Sequence, residues 1–447
     1  MAICALSSSR ARDGALFSGR WDLSLLRNPP SEFFFSAAQD AMPKDLESAG
    51  DLNYMRACAL LSITSIQYGQ SRSMHHFLGL YHTLLEINGL HDESNWPKDA
   101  GIVEVEERRR LFWSIYTLDV YTAIVWGGII RSREAQSNVA YPTALDDEMI
   151  SDGGYQHLPA LSPIMNFQSP SSSSSGNNVL CWLSGWNFTT DLYRILEHAL
   201  DHFRRRRPQN RPSSSFENIF KDTSPSESSV LDVILQMYQR LPPRFKETPS
   251  VVSDTVEHRF NFQTANIAAT IQLVRMVLFA AEDVTVEQNC RIASELLHAF
   301  SDVPAIYLRA ISSPLLHHLA GIGSILGSVF EKPLHESSYQ QVRTVLLSMA
   351  QLLADLEVGL FCTAGASVRL QTLVARIDEY MQTQRQVMVT NQTSNLGVHQ
   401  AGGVGNGAQE IAENSLLHHE VTSPMFSFPP ELLEDWSWAF DFAQTGS

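Results

Sequence analysis

Apolar residues recur at helical spacing through most of this chain. From Asn53 to Gln384 nearly every apolar segment repeats every three or four residues, which places its side chains on one face of an α-helix. No segment shows the strict alternation of a half-buried strand, and no repeat of fixed length is evident. The pattern therefore predicts an all-α fold, a multi-helix bundle domain with disordered inserts and a disordered tail.

Turn and capping residues set the predicted helix boundaries. Gly69 and Gly89 are typical of helix C-termini, and Thr285 with Gln288 has the spacing of a capping box. The expected helices span Ser31 to Met42, Asn53 to Tyr68, Ser71 to Asn88, Glu104 to Trp126, Val179 to Phe203, Val230 to Leu241, Thr255 to Ala281, Val286 to Phe300, Tyr339 to Phe361 and Ala366 to Gln384.

Composition divides the chain into four regions. Residues 1–30 are predicted to be a flexible N-terminus, and residues 31–385 a helical domain with polar inserts at 165–178 and 204–229. Residues 386–423, rich in Asn, Gln, Thr and Gly, are predicted to be a flexible linker. Residues 424–447 combine large apolar side chains with acidic ones and form a separate terminal segment.

Charge and cysteine content exclude several kinds of protein. The 32 basic and 48 acidic residues give a net charge of -16, so strong direct binding of this chain to nucleic acid is not expected. The longest apolar runs are broken by polar residues, and no membrane span is expected. The 5 cysteines stand singly without a Cys-x-x-Cys pair, which predicts reduced core residues, no zinc cluster and no cofactor.

Residues that could support catalysis have simpler interpretations. Zinc-ligand spacing is absent at His75, His76, His82 and the histidine pairs at 317–318 and 418–419. These histidines are expected to be solvated or capping. The exposed acidic run from Asp146 to Glu148 is expected to begin a helix rather than to perform acid–base chemistry. An enzyme is therefore the less favoured class.

The segment from Glu104 to Glu148 carries most of the sequence information. Glu104 with Arg108 and Glu106 with Arg110 form expected i,i+4 ion pairs at the start of a helix that is apolar around most of its circumference. We predict that Trp113 is a core residue of this central helix. The motif consists of Glu107, Arg108, Arg109, Arg110, Leu111, Phe112, Trp113, Leu118 and Asp119, followed by Pro142, Asp146, Asp147 and Glu148.

This motif resembles the fungal-specific transcription factor domain, the middle homology region of binuclear zinc cluster regulators. The resemblance implies a nuclear regulator of transcription, in a metabolic or secondary-metabolite pathway, without identifying activation or repression. The zinc cluster cysteines are absent, so DNA contact is expected through a partner, a dimer or a zinc cluster missing from the N-terminus. The usual Gly-Arg-Pro turn is replaced by the sequence from Gly127 to Arg131. A module that senses a small-molecule inducer or binds proteins is the alternative.

Two further segments have more than one interpretation. Arg204 to Arg207 places cations at a helix C-terminus and also resembles a short nuclear-import patch. In the terminal segment, acidic residues separate large apolar side chains, a composition typical of activation segments that bind transcription co-activators. A terminal helix packed against the core is the alternative. The candidate activation residues are Phe426, Phe428, Trp436, Trp438, Phe440 and Phe442.

Overall fold

The computed structural model describes residues 1–15, 25, 28–47, 49–155, 181–206, 227–247, 255–279, 285–330, 334–357, 365–398, 425–426 and 429. Helices dominate these ranges, and the predicted all-α fold is confirmed. The helices are α1 (Ala2–Arg12), α2 (Ser31–Asp40), α3 (Leu52–Gln67), α4 (Ser71–Ile87), α5 (Ile102–Val125), α6 (Leu183–Arg206), α7 (Glu227–Arg240), α8 (Thr255–Phe279), α9 (Val286–Ser301), α10 (Ala305–Ile311), α11 (Ser313–Val329), α12 (Glu336–Glu357) and α13 (Ala366–Val398).

Local capping explains why several boundaries were predicted closely. Gly69 and Gly89 adopt φ angles of 67° and 59° just after α3 and α4, in the left-handed region that glycine enters without a Cβ clash. The capping box of Thr285 and Gln288 is present in full at the start of α9. These signals depend only on neighbouring residues, and a sequence therefore reveals them.

The prediction of a flexible N-terminus is wrong for residues 2–12, which form α1. Ser31 Oγ donates a hydrogen bond to the Ala5 carbonyl oxygen at 2.6 Å, and Arg10 donates to the Ala310 carbonyl oxygen at 2.7 Å. Burial lowers the pKa of Arg10 to about 10. The buried face of α1 consists of alanine and serine, so it lacks the large apolar side chains that normally reveal an amphipathic helix.

Three other parts of the chain differ from the prediction. Helices α10 and α11 were not predicted, because glycines and histidines interrupt the apolar pattern of α11 and α10 has only 7 residues. The predicted linker is wrong over residues 386–398, where α13 continues. The predicted insert at 204–229 is wrong at both ends, because α6 extends to Arg206 and α7 begins at Glu227. The insert at 165–178 and the rest of the linker lie outside the described residues.

The core joins the helices of both halves of the chain. Helices α3 and α4 pack side by side, α5 packs on α3 and α6, and α6 packs on α8. Helix α9 contacts α8, α11 and α12, and α12 packs along α13. Buried apolar side chains form one cluster through these helices, while α1, α2 and parts of α3 and α4 share a smaller one. The central helix α5 therefore lies between the N-terminal hairpin and α6.

Two short antiparallel pairs of strands complete the described structure. Strand β1 (Ile150–Ser151) pairs with β2 (Gly154–Tyr155) beside α5. Strand β3 (Leu334–His335) pairs with β4 (Met425–Phe426), with Leu334 opposite Phe426. Among the described helices, none is both long and apolar enough to cross a lipid bilayer.

Candidate functional site

Trp113 lies in the centre of the packed face of α5. Its side chain is only 5% exposed, and its ring meets Tyr116 edge to face at 5.2 Å and Tyr141 at 4.8 Å between centroids. The indole Nε1 donates a hydrogen bond to the Ala140 carbonyl oxygen at 3.0 Å. Leu111 and Phe112 are buried beside it, while Leu118 is half-buried. The apolar part of the motif thus holds α5 against the segment that follows it.

Glu106 is a buried carboxylate at which several elements meet. It is 2% exposed and accepts hydrogen bonds from the Thr143 N–H at 2.9 Å, the Thr143 hydroxyl at 2.7 Å and the Tyr155 hydroxyl at 2.9 Å. Its ion pair is with Arg109 at 3.0 Å, so the predicted pair with Arg110 is wrong. A buried charge is tolerated when donors of this kind surround it.

Arg109 connects this carboxylate to a second one. Its Nε and a terminal nitrogen donate to the two oxygens of Glu93 at 2.8 and 2.9 Å. Glu93 Oε1 also accepts the Ala140 N–H at 2.8 Å. Burial tends to raise the pKa of Glu93, but the bonds from Arg109 and Ala140 outweigh it and lower that pKa below its usual value. Arg109 therefore fixes α5 to the loops on both sides of it.

The other charged residues at the start of the motif also form ion pairs, one within α5 and two with other segments. Arg108 pairs with Glu104 at 2.6 Å, as predicted. Glu107 pairs with Arg56 of α3 at 2.5 Å. Arg110 pairs with Asp147 at 2.7 Å, which joins the start of the motif to its acidic end.

The downstream motif residues form a turn beside α6. Asp147–Met149 is a short 3₁₀ helix preceded by Asp146, in agreement with the prediction that the acidic run begins a helix. Pro142 is buried, and its carbonyl oxygen accepts a hydrogen bond from Asn187 Nδ2 at 3.1 Å. Glu148 is exposed.

Asp119 determines the course of the loop that follows α5. It is 1% exposed, and its Oδ2 accepts the N–H groups of Arg131 at 2.5 Å and Ser132 at 2.9 Å. His82 Nε2 lies 3.4 Å from the other oxygen and is half-buried, so the expectation of a solvated histidine is wrong there. These contacts lie at the end of the segment from Gly127 to Arg131.

A second polar network, which the sequence did not reveal, joins the loop to α6. Glu197 is 3% exposed and accepts hydrogen bonds from the Tyr116 hydroxyl at 2.6 Å and the Glu134 N–H at 3.2 Å. Burial and the Glu197 carboxylate raise the pKa of Tyr116 well above its usual value. Arg133 pairs with Glu197 and Asp201, which are four residues apart on one face of α6. The four-residue spacing of Glu197 and Asp201 is visible in the sequence, but the sequence does not identify Arg133 as their partner.

Arg204 belongs to this junction as well. One of its terminal nitrogens donates to the carbonyl oxygens of Ala123 at 3.0 Å and Gly128 at 2.5 Å. These groups lie at the C-terminal end of α5, where carbonyl groups lack helical partners. The structure thus gives Arg204 a capping contact, whereas Arg207 lies outside the described residues.

The candidate activation residues are described only in part. Phe426 is 3% exposed and belongs to the main apolar cluster through β4. The other members, Phe428, Trp436, Trp438, Phe440 and Phe442, lie outside the described residues.

No cluster of metal ligands occurs in the described part of the chain. Burial raises the pKa of Cys58 to about 12, so this thiol is not a reactive nucleophile near neutral pH. Burial also lowers the pKa of His317 to about 4, and its ring packs 4.9 Å from that of Trp126. The expectation of a solvated residue is therefore wrong for His317 too.

The pairing of Arg110 with Asp147 gives a testable coupling. We expect a double-mutant cycle with Arg110→Ala and Asp147→Ala to yield a coupling energy of about 0.5 kcal/mol, because both side chains remain partly exposed. Urea denaturation measures it. The cycle of Arg291→Ala and Glu295→Ala, whose atoms lie 3.9 Å apart on exposed side chains, serves as the control and should give less. A zero coupling for Arg110 and Asp147 would contradict the pairing.

The geometry defines a helical domain whose motif residues bind one another and thereby fix the loops around a central helix. The family profile described as "Fungal specific transcription factor domain" matches residues 13–241, which is just over half of the chain. The chain belongs to this family.

Curated relatives agree with this assignment. The transcriptional activator protein acu-15 of Neurospora crassa is 32% identical over 79 residues, which are 18% of this chain and 8% of that protein. The activator of stress genes protein 1 of Candida albicans is 25% identical over 228 residues, 48% of this chain and 21% of that protein. The matches thus span about a fifth or less of these relatives. No solved structure gives a significant match.

Proposed function

We propose that this chain is a nuclear regulator of transcription, acting in a fungal metabolic or secondary-metabolite pathway. The supporting observation is the family match over residues 13–241, within which the motif side chains assemble around α5. The names of both relatives refer to activation, which favours an activator. An enzyme is the weaker proposal, since the family is one of transcription factors.

In this proposal the helical domain has a regulatory role, and DNA is contacted by a different domain or protein. The net charge of -16 opposes the approach of this chain to phosphate groups. Contact with DNA is therefore assigned to a partner with its own DNA-binding domain, to a dimer, or to a zinc cluster N-terminal to this sequence. Binding by this chain alone would be weak and without sequence preference.

The terminal segment is proposed to recruit transcription co-activators. Its bulky side chains, such as Trp436 and Trp438, are interspersed along the sequence with acidic residues, a composition typical of segments that present apolar side chains to a partner. The burial of Phe426 supports a model in which β4 anchors the base of the segment to the helical domain. Phe428 and the aromatic residues that follow would then provide the docking surface.

We expect residues 424–442, fused to an unrelated DNA-binding domain, to activate a reporter gene. The large apolar side chains can bind a co-activator groove, whereas acidic residues alone provide little docking energy. Residues 399–417 are a matched control of equal length, which contains Glu410 and Glu413 but no aromatic residue. This control should remain at background. A silent 424–442 fusion that is expressed normally would refute the assignment of this segment.

A further inference from the structure

A small cavity lies beside the loop that Asp119 positions. Its volume is about 270 Å³, it opens to solvent, and it is bordered by α4, the segment after α4, α5 and residues 131–137. Its lining includes His82, Leu85, His91, Phe112 and Arg131. Several of these residues also contact the motif, since His82 and the Arg131 N–H face Asp119, but the Arg131 guanidinium and His91 take no part in the motif interactions.

Two polar groups in the lining have unused hydrogen-bonding capacity. Arg131 is exposed, and within the described ranges no carboxylate lies at ion-pairing distance from its guanidinium group. His91 Nδ1 is buried and has no hydrogen-bond partner in the described structure. A buried ring nitrogen without a partner carries a desolvation cost that a bound ligand would offset.

Asp119 and Arg133, beside the cavity, already have compensating partners. Asp119 accepts two backbone N–H groups and faces His82, and Arg133 pairs with Glu197 and Asp201. The Arg131 guanidinium therefore remains as the uncompensated cation in the described lining. Glu86 also lines the cavity, but it is exposed to solvent, which weakens its repulsion of an anion.

Leu85 and Phe112 form the apolar part of a cavity wall that is otherwise polar. Leu85 is 4% exposed and Phe112 is 1% exposed, so both contribute faces that water solvates poorly. Ligand sites commonly combine such walls with a few convergent polar groups that fix orientation. A ligand with a charged end and an apolar body would satisfy both parts of this lining.

We propose that the cavity binds a small organic acid. The carboxylate pairs with the Arg131 guanidinium and accepts a hydrogen bond from His91 in the tautomer that carries its proton on Nδ1. The apolar body lies against Leu85 and Phe112. The ligand would thus bridge α4, α5 and the loop that Asp119 and α6 hold in place.

Ligand binding at this site is independent of the proposed function. A change in transcription on binding would rest on the proposed function, because it requires the helical domain to control the terminal segment. A binding measurement on the purified chain therefore tests the site alone, and a reporter measurement tests the function.

The test uses benzoate as the anionic probe and benzamide as its neutral counterpart of equal shape. The full chain is labelled with ¹⁵N in its histidine side chains and titrated to millimolar concentrations, and His91→Gln assigns the His91 resonance. We expect benzoate to shift the His91 signal and benzamide to leave it in place. In Arg131→Gln the Kd for benzoate should rise about tenfold or more, because a charge-assisted bond is lost.

The control is Arg72→Gln, which changes an exposed arginine of α4 outside the cavity lining and should leave the Kd unchanged. Melting curves verify that both variants fold like the unaltered chain, as expected for exposed side chains. Equal shifts with benzamide, an unchanged Kd in Arg131→Gln, or no His91 shift with benzoate would each overturn the proposal.

Discussion

Replacement of Trp113 by alanine is expected to lower the free energy of unfolding by about 3–5 kcal/mol. The indole ring is 5% exposed, and Phe112, Tyr116 and Tyr141 surround it, so alanine would leave a large cavity at the centre of α5. The change also removes the donor to the Ala140 carbonyl oxygen. Urea denaturation followed by helical circular dichroism measures the loss.

The matched control for Trp113→Ala is Val103→Ala in the first turn of the same helix. Val103 is 37% exposed, and its replacement should change the free energy of unfolding by about 0.5 kcal/mol or less. If Trp113→Ala retained full stability while a response to a ligand or partner disappeared, Trp113 would belong to a binding site rather than to the core.

The second large effect is expected in the terminal segment. Changing Trp436, Trp438 and Phe440 together to alanine should reduce the reporter activity of the tethered 424–442 segment to background. Large aromatic side chains dominate binding at docking surfaces, and this variant removes three of them. The measurement is reporter output at matched expression.

Neutralising the acidic residues of the same segment provides the comparison. Changing Glu431, Glu434, Asp435 and Asp441 to their amides should weaken the activity without abolishing it, because the apolar docking groups remain. If the amide variant were silent while the triple alanine variant stayed active, charge rather than apolar contact would drive the recruitment.

The predictable features of the central helix were the local ones. The pair of Glu104 and Arg108 was predicted because both residues lie on one helix at a spacing that brings them together. Trp113 was assigned to the core from the apolar pattern, and its burial agrees with that. Such features depend on the spacing of residues along a single helix, and this spacing can be read directly from the sequence.

The partners of the other charged residues could not be read from the sequence. Glu106 and Arg110 have the same spacing as the correct pair, yet Glu106 bonds to Thr143 and Arg109 while Arg110 pairs with Asp147. Once the loop after α5 folds back, better-placed donors and acceptors from distant residues replace the helical partner. The motif could therefore be recognised from the sequence, whereas the contacts that its charged side chains make could not.

The contacts of the loop after α5 were even less predictable from the sequence. Asp119 was named as a motif residue, but its bonds to the N–H groups of Arg131 and Ser132 require a loop geometry that no spacing predicts. The cavity at this loop arises from the same fold and was likewise unpredictable. Helix α1 was missed for a different reason, since alanine and serine give almost no amphipathic signal.

We propose that the chain regulates transcription through its terminal segment. The most direct measurement fuses the whole chain to an unrelated DNA-binding domain and compares it with a version that ends at Phe426, which keeps the β3–β4 pairing. We predict that the whole chain raises reporter transcription and that the shortened chain, expressed equally and still helical, does not. A silent whole chain, or a shortened chain of equal activity, would contradict the claim.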